Sequence, residues 1–166
     1  MSDEIPNITV AEWLARAIAS AGITKAYTLS GGMIVFLLDA IKRLGITEVV
    51  SVRHEQAAGF SAEGHARITQ NLGLALATSG PGATNLITAV ASAYFDSVPV
   101  IFITGQVNTK ELKLNKKQRQ NGFQELDIVD TIRKLTKLSF QISKPDEIRG
   151  VWDEAIFTAK DGRPGP

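Results

Sequence analysis

Apolar positions Val10, Trp13, Leu14, Ala17, Ile18 and Ala21 recur at helical spacing behind Thr9 and Glu12, a capping-box pair, and the run stops at Gly22. Residues 26–29 then read as a short extended piece leading into Ser30-Gly31-Gly32. Residues 33–44 read as a mostly buried helix closed by Gly45, and the β-branched stretch 47–52 as the next strand. The alternation continues with a helix over 55–68, a strand over 72–78, a helix over 83–95 and a strand over 98–104. A polar segment, 108–122, reads as a loop. It precedes a helical piece at 125–135, a strand near 137–142 and a last helix that Pro145 opens, with Ile148, Val151, Trp152, Ala155 and Ile156 on its apolar face. Strands apolar on both faces, alternating with helices, predict an α/β fold: a three-layer α/β/α domain around a six-stranded parallel sheet, spanning residues 1–166.

Composition narrows the function only a little. At 166 residues and 44% hydrophobic, the chain can bury one sizeable core. A net charge of +1 gives no field that would draw nucleic acid or an anionic membrane. The absence of cysteine removes disulfides, thiolate metal sites and cysteine nucleophiles, and suits a cytoplasmic location. No signal peptide precedes Val10, and apolar runs such as 98–103 are too short to span a bilayer. The closing Gly162-Arg163-Pro164-Gly165-Pro166 reads as the lead-in to a further segment.

Two turns carry the chemistry. Arg53-His54-Glu55-Gln56 joins a strand to a helix, and Thr78-Ser79-Gly80-Pro81-Gly82-Ala83-Thr84-Asn85 joins the next strand to the next helix. Both fall at the edge of the sheet where open α/β folds take their ligands. The second turn can offer backbone N–H groups to an anion. Asn85 stands where a dinucleotide fingerprint needs its third glycine, and no acidic residue ends the following strand, so NAD binding is disfavoured. Ser79 lacks the first glycine of a nucleophile elbow, since Ala77 occupies it. His54 and His65 are not spaced as metal ligands. Lys110, Lys113, Lys116, Lys117 and Arg119 form a basic stretch without interleaved aromatics, better read as a solvated loop than as a phosphate site, with a lid role in second place. A glutamate in a first helical turn has a plainer reading, as a partner of the helix dipole. Its setting among Ala57, Ala58, Gly59 and Phe60 points instead to a carboxyl suited to sharing a proton with a ligand nitrogen.

Taken together, Arg53-His54-Glu55-Gln56, the run from Ala77 to Leu86, Asp96-Ser97-Val98-Pro99, Thr104-Gly105-Gln106-Val107, Phe123-Gln124-Glu125 and the closing Gly/Pro cluster resemble the acetolactate synthase family of thiamine-diphosphate enzymes. The resemblance covers the whole chain but only the first third of such enzymes, the N-terminal pyrimidine-binding domain. It implies that Glu55 is the catalytic residue, hydrogen-bonded to ring nitrogen N1′ of the cofactor. Thr78, Pro81, Gly82 and Asn85 would complete the cofactor side, and Gly32, Phe123 and Gln124 the substrate side.

The resemblance further implies decarboxylation of a 2-oxo acid such as pyruvate and ligation to a second 2-oxo acid, as in branched-chain amino acid biosynthesis. The diphosphate and Mg2+ would be held by an absent C-terminal domain, normally of another subunit, which makes the enzyme a homodimer or tetramer and leaves this domain inactive alone. FAD and a regulatory subunit are compatible with the full-length enzyme. Thr28, Ser30, Asn108 and the long basic stretch before Phe123 depart from the family pattern and leave the substrate and acceptor open. The alternatives are another thiamine-diphosphate 2-oxo acid decarboxylase or lyase, a standalone subunit of a two-chain decarboxylase, and a non-catalytic assembly subunit.

Overall fold

A computed structural model describes residues 8–113 and 117–166. Its first helix, α1 (Val10–Ser20), starts at the capping box that the sequence spells out: the Thr9 side chain accepts from Glu12 N–H, and the Glu12 carboxylate accepts from Thr9 N–H at 3.0 Å. Strand β1 (Lys25–Thr28) follows, then a short 3-10 turn (Gly32–Ile34) and α2 (Val35–Leu44), which Gly45 closes with a left-handed φ of 69°. Next come β2 (Glu48–Ser51), α3 (Glu55–Thr69), β3 (Gly73–Ala77), α4 (Pro81–Asn85), α5 (Ile87–Phe95) and β4 (Val100–Thr104). A second 3-10 turn (Thr109–Glu111), α6 (Ile128–Ile132) and α7 (Glu147–Lys160) complete the elements.

The strands pair in parallel in the order β2-β1-β3-β4. The core lies on both faces of this sheet. One face packs Leu14, Ile18, Leu37, Ile41 and Trp152 against Leu74 and Leu76; the other packs Ala58, Ala62, Ala66, Leu86, Val90 and Ala93 against Ala75 and Ala77. Ile18, Ile41, Leu74, Leu76 and Leu86 are almost wholly inaccessible, and each such side chain contributes about 1.5–3 kcal/mol of burial. The small residues of the second face let α3 approach the sheet closely. A Cβ added to Gly73 would lie 2.2 Å from the Ala62 carbonyl oxygen.

The expected sheet of six strands is corrected to four among the described residues. Residues 137–142 are not a strand. The Lys137 N–H is taken by the Pro166 carbonyl at 2.8 Å, and residues 138–142 line, together with β4, a trough of about 530 Å³. A strand exists only where a neighbour accepts its backbone bonds, and among the described residues β4 pairs with β3 alone.

The helix expected over 125–135 shrinks to α6: Glu125 is engaged with the loop amides of Lys113 and Asn121, and Asp127 serves as the N-cap, its side chain accepting from Asp130 N–H. The helix expected over 83–95 begins earlier, at Pro81, and is interrupted at Leu86. Nor is α2 mostly buried, since Val35 and Phe36 are exposed. Among the described residues no helix is long and apolar enough to cross a membrane.

Candidate active site

Because β1 is flanked by β2 on one side and β3 on the other, the chain changes direction at the β1/β3 junction, the place where open parallel sheets leave a crevice beyond their carboxyl ends. The turns that leave β1 and β3 meet there. A Cβ on Gly31 would lie 2.5 Å from Thr78 Cβ, so only glycine lets the two turns touch. The Thr78 hydroxyl accepts from Met33 N–H at 3.4 Å. In β1 itself the buried Thr28 hydroxyl donates to the Leu76 carbonyl at 3.0 Å, which ties the two strands together just below the crevice. This departure from the family pattern therefore serves the sheet.

Glu55 enters the same crevice from the first residue of α3. His54 caps this helix through Nδ1, which accepts from Gln56 N–H at 3.1 Å, and its ring is otherwise exposed. Glu55 is 6% exposed. Its Oε2 accepts from Asn85 Nδ2 at 2.8 Å, across 30 residues of sequence. Among the described residues Oε1 carries no hydrogen bond, and it lies 3.3 Å from where a Cβ on Gly82 would stand. A buried carboxyl with one oxygen fixed and the other open can hold a single proton in a defined direction.

The turn that supplies Asn85 is itself strained into place. Gly80 adopts φ 56° and ψ −119°, a conformation essentially confined to glycine, and Pro81 then starts α4 at its first position. A Cβ on Gly82 would meet Thr78 Cγ2 at 2.7 Å, so the helix start lies directly against Thr78.

Glu55, Thr78, Gly82 and Asn85 are thus gathered into one cluster. Pro81 is exposed at its edge, and Gly32 faces open space, with nothing within 4 Å of an added Cβ. Gln124 reaches the cluster through Gly80, where an added Cβ would be 2.6 Å from the Gln124 carbonyl oxygen, and Phe123 beside it is 74% exposed. His65 lies away from the cluster and is not simply a surface residue. Its Nε2 is 3.2 Å from the Thr24 hydroxyl and its Nδ1 3.4 Å from the Tyr27 hydroxyl.

Two features were not apparent from the residues alone. Asn85, a candidate cofactor contact, also donates a hydrogen bond to the Glu55 carboxylate. Glu125, which follows Phe123-Gln124 in the family-like motif, has a buried carboxylate that accepts from Lys113 N–H at 2.8 Å and Asn121 N–H at 2.7 Å. Its partners are main-chain groups, so no pattern of side chains in the sequence marks it. In the basic stretch, Lys110 and Arg119 are exposed and Lys116 lies outside the described residues.

The backbone donors, Lys113 first, hold the Glu125 carboxyl below its ordinary value of 4.5 against the opposing effect of burial. A depressed folded-state value means that the interaction stabilises the loop fully above that ordinary value and is lost as pH falls through the lower one. In an NMR pH titration, the amide shifts of Lys113 and Asn121 should move together with a midpoint below 4.5. A midpoint at or above that value would contradict the bonding described.

Residues 8–131 match the family model described as thiamine pyrophosphate enzyme, N-terminal TPP binding domain. The chain is 40% identical over 156 residues to the acetolactate synthase large subunit of Buchnera aphidicola (subsp. Schizaphis graminum), covering 94% of this chain and 26% of that protein. The figures are the same for the acetolactate synthase isozyme 3 large subunit of Escherichia coli K12. For acetolactate synthase 2, chloroplastic, of Nicotiana tabacum, identity is 40% over 153 residues, or 92% of this chain and 22% of the relative. The chain thus spans about a quarter of the length of these relatives. With the family model matched over most of its residues, the chain belongs to the thiamine pyrophosphate enzymes, as an N-terminal TPP binding domain.

Proposed function

We propose that these residues are the pyrimidine-binding part of a longer thiamine-diphosphate enzyme that decarboxylates a 2-oxo acid such as pyruvate and joins the retained carbons to a second 2-oxo acid. The observation that carries this reading is the Glu55 carboxyl, held by Asn85 through Oε2 and open at Oε1. Its donor set suits an aminopyrimidine, whose ring nitrogen N1′ can share a proton with a carboxyl. When bound, thiamine diphosphate supplies the electron sink for breaking the bond to the substrate carboxylate.

The chain's own residues do the rest. Glu55 Oε1 holds the proton at N1′, Asn85 keeps the carboxyl from rotating away, and the side-chain-free Gly82 leaves room beside Oε1. Thr78 and Pro81 line the ring, and Gly32 leaves the neighbouring space clear. Phe123 and Gln124 stand on the substrate side. Among the described residues no group of three or more His, Asp or Glu side chains could hold a metal. In line with the family resemblance, the reading assigns Mg2+ and the diphosphate to another domain supplied by a partner subunit, and the working enzyme to a homodimer or larger assembly.

Asn85→Ala should leave the fold intact and slow proton exchange at the cofactor's C2 by about 10-fold. A hydrogen bond to a charged group contributes about 1.5–3 kcal/mol, and only part of that is lost when water can replace the amide. The exchange rate of the cofactor-loaded protein, followed by NMR, checks this. For the function itself, the full-length protein is supplied with thiamine diphosphate, Mg2+ and pyruvate and assayed for acetolactate. Its formation is the expected result, and pyruvate consumption without acetolactate would favour a different decarboxylase or lyase.

A further inference from the structure

Gln124 is held at a φ of 59°, a left-handed conformation that residues with side chains rarely adopt, while resting against Gly80, which also has positive φ. Something must hold it there, and the neighbouring residue does. The Glu125 carboxylate is 7% exposed, and among the described residues its hydrogen bonds come from backbone groups and from no basic side chain. Lys113 N–H donates to Oε1 and Asn121 N–H to Oε2, while the main-chain N–H of Glu125 itself donates to the Gly122 carbonyl at 3.2 Å.

The surrounding chain closes on the same point. Asn121 Nδ2 donates to the Glu111 carbonyl at 3.1 Å, and Gln106 Nε2 to the Leu126 carbonyl at 2.8 Å. Gly122 is pressed against Val107, where an added Cβ would lie 2.7 Å from Cγ1. Both ends of the loop after β4 therefore converge on one carboxylate, immediately beside the residue that touches the Gly80 turn.

We propose that Glu125 is a positioning residue: by gathering the Lys113 and Asn121 amides it fixes Phe123 and Gln124 against the Gly80 turn, and so sets how the site accepts the 2-oxo acid without affecting the grip on the cofactor. The substrate part of this inference rests on the proposed function. The bracket itself does not.

Glutamine at position 125 would turn one acceptor oxygen into an NH2 that faces a backbone N–H, whereas aspartate keeps the charge with a shorter reach. The full-length protein and its Glu125→Gln and Glu125→Asp variants are compared by hydrogen exchange at the Lys113 and Asn121 amides, thiamine diphosphate affinity, and KM and kcat for pyruvate. For Glu125→Gln the expected result is at least a tenfold loss of amide protection and a tenfold rise in KM, with cofactor affinity within twofold of wild type; Glu125→Asp should recover part of both losses. Unchanged protection and KM would overturn the proposal, as would a parallel loss of cofactor affinity and KM, which would mark general damage. A wild-type protein that makes no acetolactate would sink the proposed function, and protection and cofactor affinity would then decide the bracket alone.

Discussion

Glu55→Gln in the full-length, cofactor-loaded protein is expected to slow solvent exchange of the cofactor's C2 proton by about 10²–10⁴-fold, the range that a positioned proton-transfer group contributes. The amide has the shape of the carboxyl, and its oxygen can still accept from Asn85 Nδ2, so the cluster stays assembled. What it loses is the ability to hold and release a proton at the open oxygen. The missing charge at the start of α3 removes about 0.3–1 kcal/mol of helix-dipole interaction. Relief from burying a charge offsets part of that, so the melting temperature should barely move. Exchange measured by NMR on both proteins checks the prediction, and an unchanged rate would mean that another group serves N1′.

The largest loss of stability is expected from Gly73→Ala. The added Cβ would stand 2.2 Å from the Ala62 carbonyl oxygen and 2.8 Å from its carbon, and both are backbone atoms that no rotamer change can move. Helix α3 would have to shift off β3, at about 3 kcal/mol, the upper end for overpacking a well-filled interior. The shift propagates to function, since α3 carries Glu55 at its first turn. Gly64→Ala is the control: it lies in the same helix with nothing within 4 Å of an added Cβ, and should stabilise by about 0.5–1 kcal/mol. Urea unfolding followed by the fluorescence of Trp13 and Trp152 would show opposite shifts in midpoint. Equal shifts would contradict the close approach of α3 to β3.

What the sequence reveals and what it hides follow the range of the interactions. The Thr9–Glu12 capping box is a contact three residues long, and the structure contains it as written. The apolar runs at 26–29, 47–52, 72–78 and 98–104 each hold a strand, because burial between helical layers needs only local composition to be recognised. Residues 137–142 look like a strand by the same measure, yet strand formation depends on a neighbour that local composition does not supply.

At the site, Glu55 is legible from its place between a strand and a helix, whereas its pairing with Asn85 spans 30 residues and arises only from how α3 and α4 pack. The paired glycines at 31 and 32 look interchangeable in sequence. Packing separates them, with Gly31 closed against Thr78 and Gly32 facing open space. Unlike Glu55, Glu125 is not legible in the sequence. Its partners are backbone amides, which have no signature in side-chain chemistry.

The central claim is that Glu55 Oε1 is the oxygen that meets the cofactor. The most direct measurement is a crystal structure of the full-length protein with thiamine diphosphate bound. The account predicts Oε1 within about 2.6–3.0 Å of ring nitrogen N1′, with Asn85 Nδ2 still on Oε2. A pyrimidine ring whose N1′ is bonded to any other group, or a Glu55 carboxyl turned away from the crevice, would contradict it.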